Sequence, residues 1–401
     1  MASEARQAPL QFGIRLRRIL CGRAGWTGLV LQLVFAALIV WLGYEIFANA
    51  KANLQNQRVA SGFGFLSQTA GFGVSQSLIP YSESDTYARV FLVGLVNTLV
   101  VAVVGIVFAT LIGFAVGIGR LSPNWLVARI SGGYVELIRN LPLLFQILFW
   151  YLAVLGALPG PRQSISLFGE IFISNRGLVI PRPIPHDSLT TFLAVIAVAV
   201  AAALALRGYA RRRLFREGQL MTIWPYVLAL LIGLPLLVVL VFGTPFSVEV
   251  PQLKGFNFAG GLRVVPEFVA LVLALSTYTA AFIAENVRAG IQAVPRGQME
   301  AGESLGLSHG ATLRLIVVPQ AMRVILPPLT NQYLNLTKNS SLAVAIGYPD
   351  LFSVFAGTTL SQTGQAIEII AITMGVYLLI SIVTSVAMGL YGRRVNRSLS
   401  R

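Results

Sequence analysis

Cysteine, histidine, lysine and charge in general are scarce in this chain. Cys21 is the only cysteine, so no internal disulfide and no cysteine-based metal site can form. His186 and His309 are the only histidines, far apart in separate loops, which leaves metal ligation and Ser-His chemistry almost nothing to work with. The three lysines, Lys51, Lys254 and Lys338, do not follow glycines. A phosphate-cradling loop needs Gly-Lys-Ser/Thr, so this chain cannot hold ATP that way. Only 11% of the 401 residues are charged, where a soluble domain carries roughly a quarter. With 56% hydrophobic residues and a mean hydropathy of +0.75, the outer surface must face lipid.

What is present is a series of apolar runs long enough to cross a bilayer. Thr27–Phe47, Phe91–Gly119, Leu189–Leu206, Tyr226–Gly243 and Ile369–Gly392 are the purest, with Glu45 their only charge. Leu137–Leu158, Phe268–Asn286 and Leu315–Leu336 are more polar and bring the expected spans to eight. The net charge of +15 could suggest nucleic acid, but its distribution argues against that. With the N-terminus inside, the inner segments collect 21 of the 30 Lys and Arg, which is the positive-inside pattern with both ends cytoplasmic. Arg15, Arg17, Arg18 and Arg23 flank the first span, and Ala48-Asn49-Ala50 looks like a cleavage site. The run of about twenty apolar residues exceeds the core of a signal peptide, which favours a retained span.

The expected organisation is an inner tail (1–26), a first span (27–47), an outer segment (48–89), a first core part (90–157), an insertion (158–265), a second core part (266–395) and a short inner tail (396–401). The outer segment alternates Phe with Gly and Ser, suiting either a stretch along the membrane interface or an exposed loop. Pro142 should kink the third span or mark a start. The insertion holds a proline-rich outer loop and two featureless spans joined by the basic loop "RGYARRRLFRE". Spans without polar side chains suit lipid and make poor walls for a hydrophilic path.

The sixth and seventh spans differ. The sixth carries Ser276, Thr277, Tyr278 and Thr279 in its middle and Glu285 near its inner end. The seventh contains Pro319, Pro327 and Pro328, then Asn331, Gln332, Tyr333, Asn335 and Lys338. Asn331, Asn335 and Lys338 fall at helical spacing on one face. Such residues line a cavity or bond helix to helix. Glu285 could meet a substrate ammonium or brace Arg288, and Arg139 and Asn140 are divided between lining a path and anchoring the inner edge. Gln146 is a further path candidate.

Between these spans lies "PRGQMEAGESLGLSHGATLRLIVVP", too polar to cross. Glu300 to Leu305 can form about a turn of helix, Gly306 permits a left-handed exit, and Ser308 is a good N-cap for a helix starting near Gly310. Glu300 near a helix start would be favoured by the dipole. Leu305 and Leu307 then offer a small apolar surface on a bent pair facing the cytoplasm, which is either a docking element or a simple loop cap.

Glu300-Ala301-Gly302, three residues, Gly306, nine residues, Ile316, one residue and Val318-Pro319 resemble the EAA loop of ATP-binding-cassette import permeases, E-A-A-x3-G-x9-I-x-L-P. Gly302 stands for the second Ala and Val318 for the Leu. Together with "ELIRNLPLLFQILFWY" and "PQAMRVILPPLTNQYLNLTKNSSLAVAIG", the chain resembles the polar amino-acid permease family, most closely the larger permeases of general L-amino-acid uptake systems. The resemblance implies an all-α membrane fold: a five-helix type I core, an extra first helix and a two-helix insertion. It implies an inner-membrane subunit that binds no cofactor itself. Its expected partners are a second permease, two copies of an ATPase using ATP and Mg at loop 295–319, and a periplasmic amino-acid-binding protein. Asn331, Gln332, Tyr333 and Asn335 could serve a zwitterionic substrate with both donors and acceptors, and Lys338 with donors alone. The alternative is a proton- or sodium-coupled carrier, which would need acidic residues in the membrane. Asp85, Asp187 and Asp350 all read as loop residues, leaving Glu285 and Glu368.

Overall fold

A computed structural model of the chain describes residues 23–56, 62–219 and 221–398. Cys21, the basic flank at Arg15, Arg17 and Arg18, and the last three residues of the inner tail lie outside them. Helix α1 (Arg23–Asn56) runs unbroken through Ala48-Asn49-Ala50, and no part of its apolar stretch Gly28–Ile46 is buried among the described residues. Helices α2 (Tyr87–Gly119) and α3 (Trp125–Asn140) follow. Helix α4 (Leu143–Leu148) continues as a π-helical stretch over Phe149–Leu155. Next come α5 (Ser188–Glu217), α6 (Trp224–Leu228), α7 (Leu234–Phe242), α8 (Pro266–Gln292), α9 (Arg296–Ser304), α10 (His309–Thr312), α11 (Val318–Asn339), α12 (Leu360–Thr363) and α13 (Ala366–Ser398). Seven helical stretches among the described residues are long and apolar enough to cross a bilayer, and α3 with α4 makes the eighth only as a pair bent by 108°. Eight crossings were expected; the third is this broken one.

The break falls where Pro142 predicts it. Pro142 caps α4, and the carbonyls of Ile138 and Leu141, which cannot continue the helix, accept from the Gln146 side chain at 3.0 and 3.1 Å. Non-helical backbone is tolerated at membrane depth only when protein satisfies it, and Gln146 does so here.

Helices α2 and α8 form the centre of the core. A Cβ on Gly113 would lie 2.6 Å from that of Ile283, and one on Gly117 would lie 2.8 Å from the Ala284 carbonyl, so the two backbones approach as only glycine allows. Val101, Ala109, Leu271, Leu275 and Ile283 pack there with Leu336 of α11. The helices of the insertion behave oppositely: the most apolar window of α5 is 11% buried and that of α6–α7 is 6%.

Three expectations need correction. The outer segment from residue 62 does not hang free of the core. Phe65 is 1% exposed and packs with Tyr87 and Phe355, so it supplies core contacts, while Phe63 beside it is 62% exposed. The basic stretch after Arg207 is not a loop, because α5 carries it to Glu217 and ends at the left-handed Gly218. The outer loops of the insertion are paired strands: β1 (Ile165–Leu167), β2 (Ile171–Ser174), β3 (Gly177–Ile180), β4 (Arg182–Pro185), β5 (Phe246–Glu249), β6 (Gln252–Lys254), β7 (Asn257–Ala259) and β8 (Leu262–Val264). They form a four-stranded sheet in the order β1-β2-β3-β8, an antiparallel pair β4-β5 that joins the two ends of the insertion helices, and the hairpin β6-β7. The membrane fold is helical as expected, with these strands added at one end, beside the start of α8.

Candidate functional site

The polar stretch between α8 and α11 folds into a bent helix pair. Helix α9 begins after Pro295, earlier than expected, and includes Gly297. It closes with two backbone bonds, Leu307 N–H to Gly302 O at 3.2 Å and Gly306 N–H to Glu303 O at 2.9 Å. That is a Schellman ending, and Gly306 sits at φ +81°, where a side chain is strained. The Ser308 hydroxyl then accepts from Ala311 N–H at 3.3 Å and starts α10, which passes through a π-helical stretch, Leu313–Val317, into α11. Pro319 follows that stretch after Val318, with no break in the helix.

Gly302 is buried at the closing of the pair. A Cβ there would lie 2.6 Å from Thr312 Cγ2 and 2.9 Å from Ile316 Cδ1. The substitution of Gly for the motif's second Ala thus has a steric reason, since α9 and the next turn approach too closely for a methyl group. Ala301 and Glu300 are exposed, and Glu300 lies mid-helix rather than at a helix start, so the dipole argument for it does not apply. Leu305 is 82% exposed at the tip, with Leu307 half-buried beside it. The Glu303 carboxylate meets His309 Nδ1 at 2.9 Å across the bend. A cavity of about 490 Å³ lies at the base, lined by Val294, Met299, Glu300 and Val317 among others. An exposed leucine on a rigidly closed bend, joined directly to two core helices, is suited to passing motion from a docked partner into the membrane.

The path candidates separate into two groups. Asn331, Asn335 and Lys338 are exposed on one face of α11, and Lys338 borders a cavity of about 450 Å³ with Ser341, Phe352, Thr373 and Tyr377. Gln332 is half-buried, and Asn140 is exposed at the α3–α4 break. The other candidates are tied up inside the fold. Tyr333 pairs with the Thr110 hydroxyl at 2.8 Å, Thr277 donates to the Leu273 carbonyl of its own helix at 2.7 Å, and Gln146 serves the break. Glu285 is the brace: both Arg288 and Arg120 donate to its carboxylate, joining the inner ends of α2 and α8. Arg139 stacks on Phe282 of α8, 5.1 Å from the ring centre.

Sequence reading overlooked two residues. Arg120 counted only as an inner-edge charge, and its partner lies 165 positions away. Asp350, read as a loop acid, is fully buried beside α13. It accepts from Ser353 N–H at 2.8 Å and Tyr377 O–H at 3.3 Å. Asn97 and Thr98 of α2 bind the backbone on either side of it, at Pro349 O and Leu351 N–H. Burial pushes the Asp350 carboxyl from 3.8 up to about 6, against the lowering effect of its donors.

Residues 196–397 match the family described as "Binding-protein-dependent transport system inner membrane component". The chain is 53% identical, over 91% of its length and 93% of the relative's, to the putative amino-acid ABC transporter permease protein YhdX of Escherichia coli. It is 50% identical to the general L-amino acid transport system permease protein AapQ of Rhizobium johnstonii, over 91% of each. The glutamate/glutamine/aspartate/asparagine transport system permease protein BztB of Rhodobacter capsulatus is 41% identical, over 92% of each. With relatives so similar along nearly the whole length, this chain belongs to the inner membrane components of binding-protein-dependent transport systems, as an ABC importer permease subunit.

Proposed function

We propose that this permease carries L-amino acids inward across the cytoplasmic membrane, both of its ends lying in the cytoplasm, with energy taken from separate ATPase subunits. The observation that carries the reading is the bend at Gly306, which exposes Leu305 on a closed motif anchored to α8 and α11. The amino-acid substrate rests on the names of the relatives and on the amide-rich face of α11. Two ATPase copies, holding ATP and Mg, would seat this bend and that of a second permease, while a periplasmic binding protein delivers substrate to the outer end. The exposed face Asn331–Asn335–Lys338 is where the second permease and the path would meet.

Closure of the ATPase pair moves its surface groove, and the seated bend transmits that motion to α8 and α11. The Glu285 brace keeps the inner end of α2 with α8 as they tilt. Leu305→Asp changes a side chain that supports nothing in the fold, so it should insert normally while uptake falls roughly tenfold or more. Gly306→Val and Glu300→Lys should release the ATPase from membranes or uncouple hydrolysis from uptake. If co-purification and transport both survive these changes, the assignment is wrong.

A further inference from the structure

At the end of the protein opposite the bend, a cavity of about 690 Å³ opens between the core and the insertion. Several parts of the chain supply it, among them the π-helical stretch with Tyr151 and β7 with Asn257. The β2–β3 turn brings Arg176, β8 brings Arg263, the first turn of α8 brings Glu267, and the segment before α2 brings Gln76. The turn is firmly placed: Gly177 has φ +102°, a Cβ there would overlap the Val264 carbonyl, and Asn175 N–H donates to Pro159 O at 3.0 Å. Pairing of β3 with β8 sets Val179 opposite Arg263, so both arginines hang from one sheet.

The charges here are uncommitted. The side chains of Arg176 and Arg263 have neither an ion pair nor a hydrogen bond among the described residues. Glu267 accepts from Tyr151 O–H at 2.9 Å through one oxygen, and its other oxygen is unengaged among the same residues. The Gln76 side-chain oxygen is buried with no partner. Two guanidiniums that share a cavity attract a carboxylate, which they bind through paired N–H donors. A free carboxylate oxygen and an amide oxygen accept from an ammonium.

We propose that this cavity is an outer binding site for a free neutral or acidic amino acid. Arg176 and Arg263 hold its carboxylate, while Glu267 and Gln76 receive its ammonium. The surplus positive charge disfavours cationic amino acids. The proposal rests on the reading of the chain as an amino-acid permease and adds a station ahead of the membrane path, built partly by the insertion.

The test uses the full chain in lipid nanodiscs, with Cys21→Ser and Asn257→Cys placing one thiol at the cavity wall and no binding protein present. L-Glutamine should slow modification of that thiol by a charged maleimide, and the α-amide of glutamine, which lacks the carboxylate, should not. Arg176→Gln with Arg263→Gln should raise the glutamine concentration needed by roughly tenfold or more. Restoring both positions as Lys should recover part of the protection. Equal protection by the amide, or protection that survives the double Gln substitution, overturns the proposal. Protection seen only after a binding protein is added also overturns it, since the cavity would then be a docking surface. ATP-driven uptake by the assembled transporter with both arginines intact is measured separately, so loss of the permease reading itself would show there.

Discussion

Helices α8 and α5 are both long, apolar and able to cross a membrane, yet 61% of the most apolar window of α8 is buried in the protein against 11% for α5. Hydropathy cannot tell them apart in the expected direction, because the exposed helix is the more apolar one, at 2.6 against 1.8. What distinguishes them is chemistry suited to a protein neighbour. Helix α8 carries Ala, Ser and Thr where it meets α2, whose Gly113 and Gly117 let the backbones close. Helix α5 buries only Ala199, Ala203 and Ala210 and turns its leucines and valines outward. Lipid is as apolar as leucine, so burial in a membrane follows shape and polar bonding rather than greasiness.

The sharpest way to break this contrast is to change the size of one residue of each kind. Ala284, fully buried against α2, should not accept leucine: Ala284→Leu should lower stability by about 1–3 kcal/mol and loosen the inner end of the bundle. Leu240, 77% exposed on α7, should tolerate alanine within about 0.5 kcal/mol. Apparent unfolding temperatures in detergent measure both. Equal losses at the two sites would mean that the insertion is packed like the core.

How much of this was readable in advance follows the same division. The bend was legible nearly residue by residue, since Gly306 and Ser308 act through local backbone rules that spacing alone reveals. The break at Pro142 was legible for the same reason. The position of Glu300 was misjudged because Pro295 starts α9 earlier than the glycine at position 297 suggests. Long-range partners were not visible: Asp350 depends on Asn97 and Thr98, and Glu285 on Arg120, and no local pattern joins them. The short outer strands escaped because three- and four-residue runs among prolines carry too little alternation to register.

A smaller effect sharpens the comparison at the outer end of the core, where Asp350 has no counterpart in the insertion helices. Its carboxyl holds a proton more tightly when folded, up to about 6, than its ordinary 3.8. The folded state therefore gains from that proton fully below about pH 4 and loses the gain as pH rises through about 6. Asp350→Asn should flatten this slope, amounting to about 1–3 kcal/mol, in melts between pH 4 and 7. An unchanged slope would remove Asp350 as its source.

Reconstitution measures the energy source most directly. Vesicles holding this permease with the proposed second permease and ATPase should concentrate amino acid when ATP is supplied, and should stop when vanadate blocks hydrolysis. The same permeases without the ATPase should leave substrate at its gradient, whatever proton or sodium gradient is imposed. Accumulation without the ATPase, driven by either ion, would contradict a chain that receives its energy through the bend at Gly306.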